Sequence, residues 1–397
     1  MQDKTATQSP LPTSWEATPT PPWWTLLGRP LVLCWLLLAL FGCLMILNVT
    51  YGHSTNGRLA WRQLLWLLPG TAVLVWSARQ PAERWRAWIT PLCWLALGGL
   101  YLVLFMGVRL NGMRGWFRLS LGDSDSLLNP ILLQPAELAK PIFLLMMARL
   151  LAPLDDPAER RWGAFAQRLG WLALWVVPII LQPDLGTASL YLLAFALLYF
   201  LRGGPLPQVA AFGGGLALLA GLAIWRVPHV SARLAAWWQP WAYAEGVGWQ
   251  VVQNREALSA GGWWGRGFGH AEQARHYLPL PYSDGLAAAL GETVGLVGLL
   301  LLLLGVLVAL GLVWRQARQA AEPWAGLLLA GLAGMLALQT LLHLSVAAGL
   351  FPVTGITLPL LSYGGSSLIS TCLSLGMLQS LVAAVPAATP EPASGIG

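Results

Sequence analysis

The stretch PLVLCWLLLALFGCLMILNVTYGHSTNG (Pro30–Gly57) contains no Asp, Glu, Lys or Arg, and it is apolar as far as Leu47. About 20 apolar residues suffice for a helix to cross the hydrocarbon core of a bilayer. Three further charge-free stretches occupy residues 87–108, 203–225 and 323–390. The chain is 56% hydrophobic and 10% charged, whereas an ordinary soluble domain is about 25% charged. The sequence therefore predicts a polytopic membrane protein.

Apolar blocks between polar breaks predict an all-α membrane fold with about ten transmembrane helices. An even number of spans places both termini on one side, and the Lys and Arg residues of the short loops favour the cytoplasm for that side. A large extracytoplasmic loop, 227–283, precedes the eighth helix. The predicted spans lie near residues 31–50, 63–79, 88–108, 134–153, 166–182, 185–202, 206–226, 284–314, 324–347 and 358–384.

The chain is predicted to hold one membrane domain, 29–385, between two disordered tails. The Pro/Thr-rich residues 1–28 form the cytoplasmic N-terminal tail and do not read as a signal peptide. Residues 386–397 form the C-terminal tail. The net charge of +6 indicates anionic membrane lipids as partners and not nucleic acid, because the Arg residues are dispersed among membrane loops. The four Cys residues lie in apolar spans without paired spacing, which predicts neither a disulfide nor a metal site.

Ionisable residues in or near the spans are the candidates for function, because a charge in hydrocarbon costs several kcal/mol. Glu137 and Lys140 stand at i and i+3 in QPAELAK and can pair on one helix face; a structural ion pair and a place in a substrate cavity both fit. In QPDLGTA, Asp184 is placed to cap the following helix, and a structural role is favoured there.

The segment LPLPYSDGLAAALGETVGLVG (Leu278–Gly298) holds two acids at the start of a long apolar helix. Asp284 at the mouth of this helix could be a simple N-cap. A cap does not explain Glu292, for which an interior polar cavity is expected. Upstream, the glycine-rich ALSAGGWWGRGFG (Ala257–Gly269) could hold a phosphate on its backbone N–H groups or form a compact turn. Nearby arginines favour an anion site: Arg255, Arg266 and Arg275.

These motifs, in order, resemble the RodA/FtsW/SpoVE (SEDS) family of glycosyltransferases that polymerise the peptidoglycan precursor lipid II. NGMRGWF resembles the family's N-G-A-x-R-W-I, QPAELAK resembles its Q-P-S-E-L-A-K, and QPDLGTA is identical to its Q-P-D-L-G-T-A. RLAAWWQPWA with GWQVVQNREALSAGGWWGRGFG, then YLPLPYSDGLAAALGETVGLVG and FPVTGITLPLLSYGGSS, match the later family motifs. The chain departs from these motifs at six positions: Gly115, Tyr282, Ser283, Gly285, Thr293 and His343.

The resemblance implies a peptidoglycan glycosyltransferase in the cytoplasmic membrane of a bacterium, serving cell elongation or division. It implies that Asp284 is the catalytic base that takes the proton of the acceptor hydroxyl at the outer face. A divalent cation such as Mg²⁺ could join cationic side chains in stabilising the diphosphate, although no cofactor or protein metal site is identifiable. Residues expected to bind substrate or line the cavity are Arg114, Glu137, Lys140, Arg233, Gln250, Arg266, Glu292 and Ser366.

Two other functions fit the same features. A lipid II flippase or transporter would need a continuous polar path, for which Glu137, Lys140, Glu292 and His343 are available. A non-catalytic scaffold for a transpeptidase fits the altered residues around Asp284. For the enzyme, a class B penicillin-binding protein is the expected partner, because the chain contains no Ser-x-x-Lys acyl-transfer motif.

Overall fold

The structure is a computed structural model that describes residues 30–51, 57–110, 112–120 and 130–384. The two tails predicted to be disordered lie outside the described residues. Helices dominate, with one small antiparallel sheet in strand order β1-β2-β3. The elements are α1 Pro30–Thr50, α2 Arg58–Ala78, α3 Ala82–Met106, β1 Val108–Leu110, β2 Met113–Leu119, β3 Ile131–Leu133, α4 Pro135–Leu138, α5 Lys140–Leu151, α6 Trp162–Leu181, α7 Leu185–Leu201, α8 Leu206–Arg226, α9 Pro228–Trp238, α10 Trp249–Gly261, α11 Glu272–His276, α12 Leu286–Gln319, α13 Pro323–Ala347 and α14 Gly365–Ala384.

Every predicted span contains a helix, which confirms an all-α polytopic membrane protein. Seven helices of the described residues are long and apolar enough to cross a membrane. The helix α2, which has polar residues near both ends, runs beside α14 over its whole length. Gln63 contacts Ser362 and Gly364 at one end, and Gln80 contacts Ser380 at the other. Thus α2 traverses the same layer as α14.

The helices α4 and α5 together traverse the layer beside α7. Gln134 donates to Asp184 at one end of this pair, and Arg202 donates to the carbonyl of Ala152 at the other. The helix predicted over 134–153 is interrupted because Pro141 has no N–H to donate to the carbonyl of Glu137. The hydroxyl of Ser370 donates to that carbonyl instead, at 2.6 Å.

The helix predicted over 284–314 is also broken. Gly295 has φ 70° and ψ −176° within α12, a conformation that favours glycine. The glycine-rich loop fills the break and pairs with the freed backbone. Arg266 N donates to the carbonyl of Glu292 and Gly267 N to that of Thr293. Leu296 N and Val297 N donate in turn to the carbonyls of Gly262 and Trp263.

The buried core lies between α3, α5, α6, α7, α13 and α14, and includes Trp175, Phe143 and Tyr191. By contrast, no residue in the most apolar 18-residue stretch of α12 is buried, and 6% of the residues in the corresponding stretch of α8 are buried. An apolar helix face exposed in this way suits contact with lipid or another transmembrane segment. The sheet and the loops before α7, α12 and α14 meet at one end of the bundle, where they enclose a cavity.

Candidate active site

A cavity of about 650 Å³ opens at the end of the bundle where the sheet and the long loops meet. Its volume lies within the ~300–1,000 Å³ of ordinary small-molecule sites. Polar side chains from distant parts of the sequence share its wall: Arg62, Gln134, Glu137, Thr187, Arg233, Gln250, Tyr282, Ser283, Asp284, Thr354, Thr357, Tyr363, Ser366 and Ser367. The fold therefore collects these groups around one space.

Asp284 lies on this wall, immediately before α12. The chain around it is held from several sides. Tyr363 N donates to the carbonyl of Tyr282 at 2.8 Å, and the hydroxyl of Ser362 donates to the carbonyl of Ser283 at 2.9 Å. The N–H groups of Ser283 and Gly285 both donate to the carbonyl of Leu280. Asp284 is not the N-cap of α12, since Gly285 is the capping residue and no side chain caps the helix.

The environment of the Asp284 carboxyl makes it a stronger base than an ordinary aspartate. Burial raises its pKa, while the hydrogen bond from Ser283 at 2.8 Å and the positive charge of Arg233 oppose that rise. A carboxyl whose pKa is raised toward the working pH is suited to general-base catalysis. A Cβ at Gly355 would lie 3.6 Å from Asp284 Oδ2, so the irregular segment after α13 approaches this carboxyl closely.

Glu137, in α4, is far from Asp284 in the sequence but lies on the same cavity wall. Lys140 Nζ donates to Glu137 Oε1 at 2.6 Å and to Gln339 Oε1 at 3.0 Å. Gln339 in turn donates to Thr357. Lys140 therefore stands behind the wall, where it neutralises Glu137 and ties α5 to the loop before α14.

Two arginines give the wall its positive charge, Arg233 from α9 and Arg62 from α2. Arg62 Nη2 donates to the carbonyl of Pro130, while its buried Nε has no partner within the described residues. Gln250 Nε2 and Thr354 Oγ1 are likewise buried without a described partner. Buried polar groups without a partner are rare in native proteins, so these three wall residues are candidates to bind a substrate.

Ser366 also lines the cavity, where its hydroxyl accepts from Gln134 N at 2.9 Å. Of the other residues expected there, Arg114 and Arg266 lie elsewhere. Arg114 donates to the carbonyl of Leu104, and the exposed Arg266 donates through Nε to the carbonyl of Ala260. Within the glycine-rich loop, Arg266 N and Gly267 N donate to α12, Gly265 N donates to the carbonyl of Gly261, and Gly269 N donates to Asn48 Oδ1. With these N–H groups already bonded, the compact-turn alternative describes the loop better than the phosphate alternative.

Glu292 does not line the cavity, in contrast to the expectation from sequence. Its carboxylate is fully buried and accepts hydrogen bonds from Gln273 N at 3.0 Å and Ala274 N at 2.6 Å. The reason is the loop before α12, which folds back over this face of the helix and brings its own backbone donors to the acid. Asp184, as expected, caps α7 by accepting from Thr187 N at 3.0 Å.

Sequence reasoning missed Arg62, Thr354 and the Tyr282–Tyr363 pair, whose rings meet edge to face at 5.9 Å. Thr354 and Tyr363 lie inside the FPVTGITLPLLSYGGSS string and could have been selected from it. Arg62 gave no signal beyond being a cation beside the outer end of a span. The chain fold alone brings it to the cavity.

Among the described residues, no group of three His, Cys, Asp or Glu side chains comes together to hold a metal ion. Mg²⁺ sites, however, commonly use one or two carboxylates together with substrate phosphates. Glu137 and Asp284 are the carboxylates on the described cavity wall. A divalent cation bound with the substrate's phosphates is compatible with this donor set and stays a prediction.

Known proteins resemble this chain along nearly its whole length. A family model described as cell cycle protein, FtsW/RodA/SpoVE, matches residues 29–385. The "Probable peptidoglycan glycosyltransferase FtsW" of Tolumonas auensis is 33% identical over 85% of this chain and 87% of that protein. Stage V sporulation protein E of Bacillus subtilis is 31% identical over 88% of this chain and 94% of that protein.

Solved structures agree with the sequence relatives. A chain from a study of the "structural coordination of polymerization and crosslinking by a peptidoglycan synthase complex" matches with a TM-score of 0.73 and 29% identity, over 89% of this chain and 97% of that one. The rod shape determining protein RodA of Thermus thermophilus matches with a TM-score of 0.64 and 27% identity, over 89% and 96%. The sequence and the fold together establish that this chain belongs to the FtsW/RodA/SpoVE family of cell cycle proteins.

Proposed function

We propose that this protein is a peptidoglycan glycosyltransferase that polymerises lipid II at the outer face of the bacterial cytoplasmic membrane, for cell elongation or division. The observation that carries the proposal is the Asp284 carboxyl, with its raised pKa, on the wall of a cavity that also holds Arg62 and Arg233. The relatives named as probable peptidoglycan glycosyltransferases support the same activity.

The reaction joins two lipid-linked sugars. The 4-hydroxyl oxygen of the acceptor GlcNAc forms a bond to the anomeric carbon of the donor, and the bond from that carbon to the lipid diphosphate breaks. The hydroxyl proton passes to Asp284, the electron pair of the broken bond leaves with the diphosphate, and the anomeric centre inverts. A free hydroxyl is a weak nucleophile, so general-base assistance contributes roughly 10²- to 10⁴-fold in rate.

The leaving diphosphate carries negative charge that the cavity must stabilise. Arg62 and Arg233 are the wall residues that supply positive charge, and guanidinium groups match phosphate geometry. A bound divalent cation such as Mg²⁺ would add charge neutralisation at the diphosphate. Thr354, Gln250 and Ser366 supply polar groups that orient the sugars or their substituents.

The cavity end of the bundle is proposed to face outward and both termini to face the cytoplasm. The other end then carries the short loops at 79–81, 152–161, 202–205 and 320–322, which lie among Arg79, Arg160, Arg202 and Arg318. Cytoplasmic loops of membrane proteins are enriched in such cations.

A class B penicillin-binding protein is the proposed partner, because a polymerase without an acyl-transfer site needs crosslinking from another chain. The structural neighbour from a peptidoglycan synthase complex supports this pairing. Copurification from a host that expresses the partner tests it. Full crosslinking by this protein alone would contradict it.

The transport and scaffold alternatives receive less support. The residues available for a transport path are committed to internal partners: Glu137 to Lys140, Glu292 to the backbone at 273 and 274, and His343 to the carbonyl of Ile356. A scaffold has no need for Asp284 on a cavity wall.

Purified protein with lipid II, scored for glycan chains on a gel, tests the proposed function. Wild type is expected to form polymer and Asp284→Ala to form none while still binding the partner. Lipid movement across vesicles without polymer would indicate a transporter, and partner binding as the sole activity would indicate a scaffold.

A further inference from the structure

Glu292 is a buried carboxylate that the proposed chemistry does not use. Its side chain is 0% exposed, and within the described residues no Lys, Arg or His lies within ion-pair distance of it. Both oxygens instead accept backbone N–H groups, from Gln273 and Ala274. A buried carboxyl group is costly unless its oxygens are hydrogen-bonded, and here the two backbone N–H groups meet that need.

The two donors belong to α11, which leads into the catalytic segment through the turn that ends at Leu278. Gln273 is also fixed through its side chain, whose Nε2 donates to Gln253 Oε1 at 2.6 Å and to Glu256 Oε2 at 2.8 Å on α10. Its carbonyl accepts from Tyr277 N and Leu278 N at 3.1 Å each. The segment 273–278 is therefore anchored on α10 and on Glu292.

Asp284 lies between the two ends of this anchor. The chain leaves the turn at the buried Leu278, passes Asp284 and enters α12, where Glu292 stands eight residues later. The Glu292 side chain reaches back to residues 273 and 274, so it closes the segment 273–292 into a ring with Asp284 near its middle. The position of Asp284 along the cavity wall then depends on the closure of that ring.

We infer that Glu292 is a positioning residue, which holds the Asp284 carboxyl in register with the acceptor hydroxyl by closing the 273–292 ring. This inference rests on the proposed function of Asp284 as base. It differs from a general structural role because it requires the effect of Glu292 on rate to pass through Asp284.

A double-mutant cycle between Glu292→Gln and Asp284→Asn, measured on lipid II polymerisation, tests the inference. Gln keeps the size of Glu, but its NH₂ group faces one of the two backbone donors, so one hydrogen bond is lost. Misplacement of a catalytic group by about 1 Å can cost roughly 10²-fold. Glu292→Gln is therefore expected to lower kcat ~10- to 100-fold, with KM changed less than about twofold because no substrate contact is removed.

In the Asp284→Asn background, Glu292→Gln is expected to lower the residual rate less than about threefold, because residues that act as a unit are not additive. Glu159→Gln is the matched control. Glu159 accepts from the buried Arg168 at 2.6 Å at the other end of the bundle, so its loss lowers stability without changing kcat. Glu292→Asp keeps both acceptor oxygens on a shorter side chain and should recover part of the rate. If the Gln variant does not accumulate, the double-mutant cycle is measured with Glu292→Asp in its place.

The inference would be overturned if Glu292→Gln lowered the rate equally in the wild-type and Asp284→Asn backgrounds. It would also be overturned if Glu159→Gln, at a melting temperature equal to that of Glu292→Gln, lowered the rate by the same factor. Full activity of the Asp284→Asn single variant would instead contradict the proposed function. This single variant is therefore measured before the double variant.

Discussion

Lys140 Nζ lies 2.6 Å from Glu137 Oε1, and the two side chains are only 4% and 6% exposed. This pair links the cavity wall to Gln339 and through it to Thr357 in the loop before α14. Its place in the network explains why two charges persist at this depth of the bundle.

Removing one member of the pair should destabilise the protein. Lys140→Met leaves Glu137 as an unpaired buried charge, which costs roughly 3–5 kcal/mol. The reversed pair, Glu137→Lys with Lys140→Glu, should recover part of that loss. Thermal unfolding in detergent measures both variants. Equal damage from the single and the reversed variants would show that the charges do not pair.

Thr354→Val should separate binding from stability. The Thr354 hydroxyl is buried without a described partner, so its removal should change the free energy of unfolding by less than about 0.5 kcal/mol. Loss of one hydrogen bond to substrate, roughly 0.5–1.5 kcal/mol, should weaken lipid II binding by about 2- to 10-fold. Thr340→Val is the control, because Thr340 donates only to Leu336 of its own helix. Unchanged lipid II affinity of the Thr354 variant would contradict the assignment.

Gly295→Ala should disrupt the break in α12. A Cβ there would lie 2.4 Å from both Gly265 N and Trp263 O, and the positive φ adds about 1–2 kcal/mol for a residue with a side chain. A clear fall in melting temperature is expected. Gly305→Ala in the same helix is the control, since nothing lies within 4 Å of its added Cβ; it should be neutral or gain up to about 1 kcal/mol. Similar stability of the two variants would count against the loop contacts.

The pH dependence of polymerisation should report Asp284. A base must be ionised, so the rate should fall as pH drops through the pKa of Asp284, which burial raises above the usual carboxyl value of about 4. Arg233 holds that pKa down. Arg233→Gln should therefore move the acid limb of the profile to higher pH. Arg226→Gln, whose guanidinium stacks on Trp225, should leave the limb in place. If the acid limb of the Arg233→Gln variant lay at the wild-type pH, Asp284 would not be the titrating base.

The sequence was sufficient for the membrane fold and for much of the site. Apolar run length predicted the spans, and local signals pointed to Asp284 and Glu137. The family resemblance added Arg233, Gln250 and Ser366 to the candidates. The contacts of Glu292 could not be predicted from its spacing to Asp284, since its partners are backbone groups of a loop that folds back from 18 and 19 residues upstream. The break at Gly295 has the same cause, because four hydrogen bonds between α12 and the glycine-rich loop, two donated by each, replace those of the helix.

If Asp284 is the base in polymerisation, Asp284→Asn should remove that function and leave the fold intact. Asn keeps the size of the side chain but has no basic oxygen. The rate of glycan formation from lipid II by the purified variant is the measurement, with melting temperature and lipid II affinity measured on the same preparation. The rate is expected to be lower by roughly 10²- to 10⁴-fold, with the melting temperature and the lipid II affinity near wild type. Polymerisation by the Asn variant at close to the wild-type rate would contradict the role of Asp284 as base.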